Sequence, residues 1–290
     1  MITGECQRTI ARPVTIRGAG LHSGAPAVAR LLPAPADAGI AFLRTDVASA
    51  TPIPARLEEV AATARSIVLG GSIRVATVEH LMSAARGLGI ENLFVEVEGE
   101  ELPCGDGSAL IFVEALRAAG SVDQDAPRVQ VVLDEPVWAS EGGSMIAALP
   151  AGRFQVTYVV TADAASMAPQ MAEFREGVDD YAASVAPART WGMAAEIEAL
   201  RAQGMARGVS LETVLAIGPD GFLNEPRFPN EMARHKILDA IGDLALIGRP
   251  LLAHVVAVRA GHGLHVALAR EIARRFGAGR GVTGGQHVGY

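Results

Sequence analysis

Across residues 230–248 the apolar side chains Met232, Leu238, Ile241, Ala245 and Leu246 recur at helical spacing. His235, Asp239 and Asp243 stand four apart on another stripe of the same helix. The pattern predicts one long helix, with Asn230 as its cap and Gly248 as its stop. A second helix is predicted in TVEHLMSAARGLG, with Thr77 as N-cap and Gly87 and Gly89 closing it. A third is expected over about residues 110–119. β-like segments separated by Gly, Pro and Asp turns fill residues 7–42, and strands are expected at 92–97, 129–133, 144–149, 154–160 and 251–259. Residues 121–128, SVDQDAPR, read as a linker. The same plan recurs on both sides of it. The expected fold is therefore α+β, with two similar domains, 1–125 and 126–290, each a helix-on-sheet layered unit.

At 290 residues, half of them hydrophobic, the chain can bury a sizeable core. Its formal net charge of −7 argues against nucleic acid as a partner. Cys6 and Cys104 read as reduced thiols rather than a disulfide framework. The first residues have no apolar core of signal-peptide length, and no apolar run reaches the ~20 residues of a membrane span. A cytoplasmic, monomeric protein is expected.

A His and an Asp four apart on one helix face converge on a point, which suits two ligands of a divalent metal. The same residues can also form a solvated face of weak ion pairs. The composition bears on this choice, because Lys236 is the only lysine in the chain and stands beside His235. Every other basic residue is an arginine, so this position carries the one compact ammonium that a guanidinium fork cannot copy. Glu79 and His80 fall in the first turn of the second helix, pointing about 100° apart, so one can bind a metal while the other works on water beside it. Glu79 can equally be a first-turn carboxylate favoured by the helix dipole, and His80 a half-buried core histidine. His262 follows a strand directly in Ala-Gly-His-Gly, a glycine-loosened loop, and is a candidate acid titrating near neutrality. His265 reads as an exposed loop histidine and His22 as a structural turn histidine. Asp106 reads either as a turn former or as the orienter of a ligand histidine, and Cys104 as inert. The Gly-rich residues 277–290 lack a Gly-Lys-Ser/Thr and are not a phosphate loop.

Taken together, TVEHLMSAARGLGIENLFVEV, the DGSA turn at 106–109, ARTWGM at 188–193, FLNEPRF at 222–228, RHKILDAIGDLAL and the AGH at 260–262 resemble the UDP-3-O-acyl-N-acetylglucosamine deacetylases, the zinc amidases of lipid A biosynthesis. The resemblance runs in order over nearly the whole chain. It implies two similar domains packed around a metal site, with inserts near residues 51–75 and 192–225. It implies a zinc ion held by His80, His235 and Asp239, with Glu79 as general base. His262, held by Asp243, would be the charged acid, and Lys236 and Thr190 would stabilise the oxyanion. The implied substrate is an acylated UDP-amino-sugar, met by Trp191, Gly208, Val209 and Ser210.

The chain departs from the family's pattern at several places. Ser66-Ile67 stands for a common Cys-Thr pair, TADAASMAPQ lacks a His-Pro pair, and Gly208-Val209-Ser210 replaces a Gly-Gly-Ser. A branched Val209 would narrow the passage for an acyl chain. The chemistry thus carries over more directly than the acyl recognition, and a related zinc deacetylase acting on another N-acetylated sugar or amine is the alternative.

Overall fold

The computed structural model describes residues 2–161 and 167–277. The readings made on residues 162–166 and on the tail beyond residue 277 lie outside the described residues. The first half runs β1 (Ile2–Ile10), β2 (Val14–Ala19), β3 (Pro26–Pro33), β4 (Ile40–Arg44), β5 (Ile53–Pro54), β6 (Val60–Ala62), β7 (Val68–Gly70), β8 (Arg74–Ala76), α1 (Glu79–Gly87), β9 (Leu93–Glu98) and α2 (Leu110–Ala119). There follow β10 (Ser121–Val129), β11 (Val131–Val132), β12 (Val137–Glu141), β13 (Ser144–Pro150), β14 (Gln155–Val160), β15 (Gln170–Arg175) and the short α3 (Tyr181–Ser184). The last elements are β16 (Trp191–Met193), α4 (Ala194–Ala202), β17 (Leu215–Gly218), β18 (Gly221–Phe222), α5 (Glu231–Ala245), β19 (Leu251–Val258) and α6 (His262–Phe276).

Two large sheets share one connection order. The first is β2-β3-β9-β4-β5 and the second β12-β13-β19-β14-β15. In both, the last strand in chain order enters the middle, antiparallel to one neighbour and parallel to the other. Both also place a small inserted sheet, β6-β7-β8 or β16-β17-β18, just before the helix that leads into that strand. The expected α+β doubling is therefore present. Alternation explains the strands: in β9, Leu93, Val95 and Val97 are buried while Phe94 and Glu98 face out. In β19, Leu251, Ala253, Val255 and Ala257 point to the core in the same way.

Four local readings are corrected. Residues 121–128 are not a linker, because they form most of β10, which pairs antiparallel with β1. Thr77 does not cap α1. Val78 takes that position, and the Thr77 hydroxyl donates instead to Glu101 at 3.0 Å. Asn230 sits at the N-cap of α5 without capping it, since its amide donates to the Met171 carbonyl at 2.8 Å and its oxygen accepts from Arg234 at 2.7 Å. Nor is the polar stripe of α5 a solvated face: His235, Asp239 and Asp243 are as buried as Leu238 and Ile241.

That burial follows from how α1 and α5 pack. The two helices lie directly on each other, joining both halves into one continuous core. Gly242 permits the contact, because a Cβ added there would stand 2.1 Å from the carbonyl oxygen of Glu79. Since that neighbour is backbone, it cannot swing aside. Gly242→Ala is expected to destabilise the fold by about 1–3 kcal/mol, read as a lower urea midpoint at unchanged slope. A midpoint equal to that of the wild type would mean that the helices separate freely at this crossing.

Candidate active site

The α1–α5 crossing brings side chains 155 or more residues apart in sequence into one buried cluster. Ligating atoms of His80, His235 and Asp239 all lie within 4.8 Å of one another. Asp239 Oδ1 is 3.3 Å from His235 Nε2 and 3.9 Å from His80 Nε2. The other nitrogen of His235, Nδ1, donates to the Ala188 carbonyl at 3.0 Å, so a neutral ring turns an Nε2 lone pair toward Oδ1. Burial pushes the pKa of His80 down to about 4 and that of His235 below its ordinary value, which keeps both rings neutral. Asp239 Oδ1 is buried and accepts no hydrogen bond. Lone pairs converging in this way repel one another unless a cation stands among them, and two imidazoles with one carboxylate suit zinc. The donor set fits a divalent metal.

The charges around this cluster alternate. Lys236 Nζ donates to Asp239 Oδ2 at 2.8 Å, and His262 Nδ1 donates to Asp243 Oδ2 at 2.7 Å. Burial alone would make His262 easier to deprotonate, but Asp243 and Asp239 outweigh it and raise its pKa to about 9. Burial raises the Glu79 carboxyl to about 8, with the His262 charge pulling the other way. Glu79 Oε2 accepts the Ile67 amide at 3.0 Å, which sets its orientation. The arrangement thus holds a strongly basic carboxylate and an imidazolium beside a cation-ready donor set.

These groups form one end of a cleft of about 250 Å³. Glu79, His80, His235, Lys236, Asp239, His262, Thr190 and Trp191 all line it, and Leu21, Ile197, Leu200, Val209 and Val214 form an apolar wall. Asp243 lies behind His262 rather than in the cleft. Ser210 lies on an adjoining groove of about 140 Å³ that shares Ile197, Val209 and Val214 with the first. Gly208 lines neither. Its amide donates to the Leu21 carbonyl at 3.0 Å, and a Cβ there would meet the Gly20 oxygen at 2.2 Å, so it docks the second insert against the 20–23 turn.

The structure also alters other sequence expectations. His262 is the first residue of α6, not part of a loose loop. His265 is fully buried, not exposed, and donates to Asp243 at 2.7 Å. The signal was present in Leu264, Leu268 and Ile272, an i, i+4 apolar series that marks a helix beginning at the glycine. His22 lines the cleft, and its backbone amide donates to Glu101 at 2.9 Å. Glu101 itself was missed. It ties Ser23 and Thr77 together, so the turn of residues 20–23 is held against the entry to α1. Also missed was Glu231, fully buried, which accepts from the Arg189 side chain and amide and from the Arg227 amide. That pair fixes the chain carrying the Ala188 carbonyl and Thr190. Asp106 resolves as a turn former, accepting from the Ser108 amide at 3.1 Å and paired with Arg227. Cys104 is buried, and burial raises its thiol to about 11, as an inert thiol requires.

A cleft with a cation-ready floor, a basic carboxylate and a buried imidazolium, set between two sheets that repeat one topology, marks a hydrolase. Residues 7–274 match the family model described as UDP-3-O-acyl N-acetylglycosamine deacetylase. The chain is 40% identical over 269 residues to the UDP-3-O-acyl-N-acetylglucosamine deacetylase of Myxococcus xanthus, covering 92% of this chain and 86% of the relative. It is 43% identical over 277 residues to that of Thermosynechococcus vestitus, covering 94% and 96%. With that of Anaeromyxobacter sp. strain Fw109-5 it shares 44% over 272 residues, covering 92% and 88%. The chain belongs to this family of amide-hydrolysing deacetylases. Among the described residues, no helix is long and apolar enough to cross a membrane.

Asp239→Ala removes the one anionic donor of the set. It is expected to lower the metal retained after dialysis by at least about tenfold, measured by elemental analysis. Unchanged metal content would move the third ligand elsewhere.

Proposed function

We propose that this chain hydrolyses the N-acetyl group of a UDP-3-O-acyl-N-acetylglucosamine to the free amine and acetate, a step of lipid A biosynthesis, with zinc as its metal. The reading brings with it the expected cytoplasmic location and monomeric state. The observation that carries it is the pairing of a polar reaction floor with an apolar wall in one cleft, as a polar sugar amide bearing an acyl chain requires.

Zinc held by His80, His235 and Asp239 would supply Lewis-acid polarisation of the acetamide carbonyl and make water more acidic. Glu79 takes the proton from the attacking water, a role suited to a carboxylate whose basicity burial has raised. As the carbonyl carbon becomes tetrahedral, negative charge gathers on its oxygen. Lys236 and Thr190 both line the cleft, and their ammonium and hydroxyl would meet it, one such donor being typically worth ~3 kcal/mol. The C–N bond then breaks, and His262 gives its Nε2 proton to the departing sugar amine. Asp243 stays ionised and holds the imidazolium through Nδ1. The acyl chain lies along Leu21, Ile197, Leu200 and Val214, with Trp191 and Val209 bounding the wall and Ser210 on the groove beyond.

Two measurements test this reading. Zinc-loaded protein is expected to release acetate from the acylated UDP-sugar and not from a short N-acetyl sugar. The reverse preference would establish the alternative, a deacetylase of another N-acetylated sugar or amine. Glu79→Gln is expected to retain zinc and lose roughly 10²–10⁴-fold in kcat, because an amide cannot accept the proton of water. A near-normal rate would remove Glu79 from the reaction.

A further inference from the structure

Asp243 Oδ2 accepts two imidazole N–H groups, from Nδ1 of His262 and from Nδ1 of His265, each at 2.7 Å. The two histidines are three residues apart on α6, with ring centroids 6.0 Å apart and planes at 78°, so they approach the oxygen from different directions. The other oxygen, Oδ1, is buried and has no hydrogen-bond partner. One bond to His262 would leave the carboxylate free to turn about that bond. A second from another direction fixes its plane.

His265 is itself held. It is fully buried, and its Nε2, an acceptor in a neutral ring that donates from Nδ1, stands 2.8 Å from the Tyr158 hydroxyl, whose one proton serves either that nitrogen or the Ala260 carbonyl 2.6 Å away. Ala260 is two residues before His262. The phenol on β14 therefore meets both the ring that fixes Asp243 and the chain that leads into α6. A core histidine needing only satisfaction would not have to share a carboxylate with a ring in the cleft. An apolar side chain would fill the same space without the desolvation that lowers the pKa of His265.

We propose that His265, backed by Tyr158, is a positioning residue for deacetylation: it fixes the Asp243 carboxylate so that His262 presents Nε2 to the cleft at one set angle. This rests on reading His262 as the proton donor to the leaving amine. His265 does not line the cleft and is none of the three metal donors His80, His235 and Asp239, so its loss should act on turnover and not on zinc or substrate binding.

The test compares His265→Asn, His265→Gln, His265→Leu and Tyr158→Phe with wild type, all zinc-loaded, on the acylated UDP-sugar. An Asn amide nitrogen reaches the place of Nδ1 and can still donate to Asp243, whereas that of Gln reaches the place of Nε2 and cannot. We expect His265→Leu and His265→Gln to lose roughly 10–100-fold in kcat, with KM and zinc content little changed. His265→Asn should recover most of that loss, and Tyr158→Phe should fall between. A Gln variant as active as the Asn variant, or a loss residing in KM, would overturn the proposal. Should the Leu variant fail to fold, the Asn and Gln pair still decides. A readout that needs no substrate is the downfield proton resonance of the His262 Nδ1–H held by Asp243. It should persist with Asn and broaden with Gln, and persistence in both would overturn the proposal. A wild type that holds zinc and shows this resonance but leaves the acylated UDP-sugar intact would instead overturn the reading of the substrate.

Discussion

Gly242 sets the backbone of α5 against the carbonyl oxygen of Glu79, and the rest of the site depends on that closeness. Helices normally pack 8–10 Å apart, with side chains between them. Here the missing side chain lets the start of α1 sit against the C-terminal third of α5. Glu79 and His80 then reach the same buried volume as His235, Asp239 and Asp243. Four of these groups have an anchor of their own: Ile67 for Glu79, Ala188 for His235, Lys236 for Asp239 and His262 for Asp243. The anchors fix orientation, while the crossing fixes position.

Burial is what makes the cluster chemically capable, and also what makes it costly. Three carboxylates, a lysine and a charged histidine share a region from which water is largely removed, where Coulomb interactions are several times stronger than in bulk solvent. The consequences run in opposite directions at neighbouring atoms. Glu79 becomes more basic because burial penalises its charge, whereas Asp239 and Asp243 stay ionised because positive groups face them. The Arg189–Glu231 pair does similar structural work at the start of α5. A fully buried carboxylate accepts there from two backbone amides and a guanidinium, and the chain bearing Thr190 is thereby fixed.

Much of this frame was legible in the sequence, because periodicity reports directly on which face of an element is covered. The helices at 79–87, 110–119 and 231–245 lie where the pattern put them. The four-residue spacing of His235 and Asp239 placed both on one side of a helix before any coordinates. What could not be read were contacts between distant segments. Glu101 sits in a turn that looks unremarkable, and its importance arises only because Ser23 and Thr77 fold against it. Tyr158 reads as one more inward residue of a strand, and nothing local says that its hydroxyl meets His265. The misread caps at Thr77 and Asn230 have the same origin, since each side chain had a tertiary partner that outcompeted the local bond.

The shared connection order of the two sheets has a consequence for how such a protein can change. Two equal copies of one unit would carry matching helices at α1 and α5. The present pair is lopsided: one contributes a carboxyl group and a single imidazole, the other an imidazole, an ammonium and two carboxylates. Neither copy could now be doubled to regenerate what they make jointly.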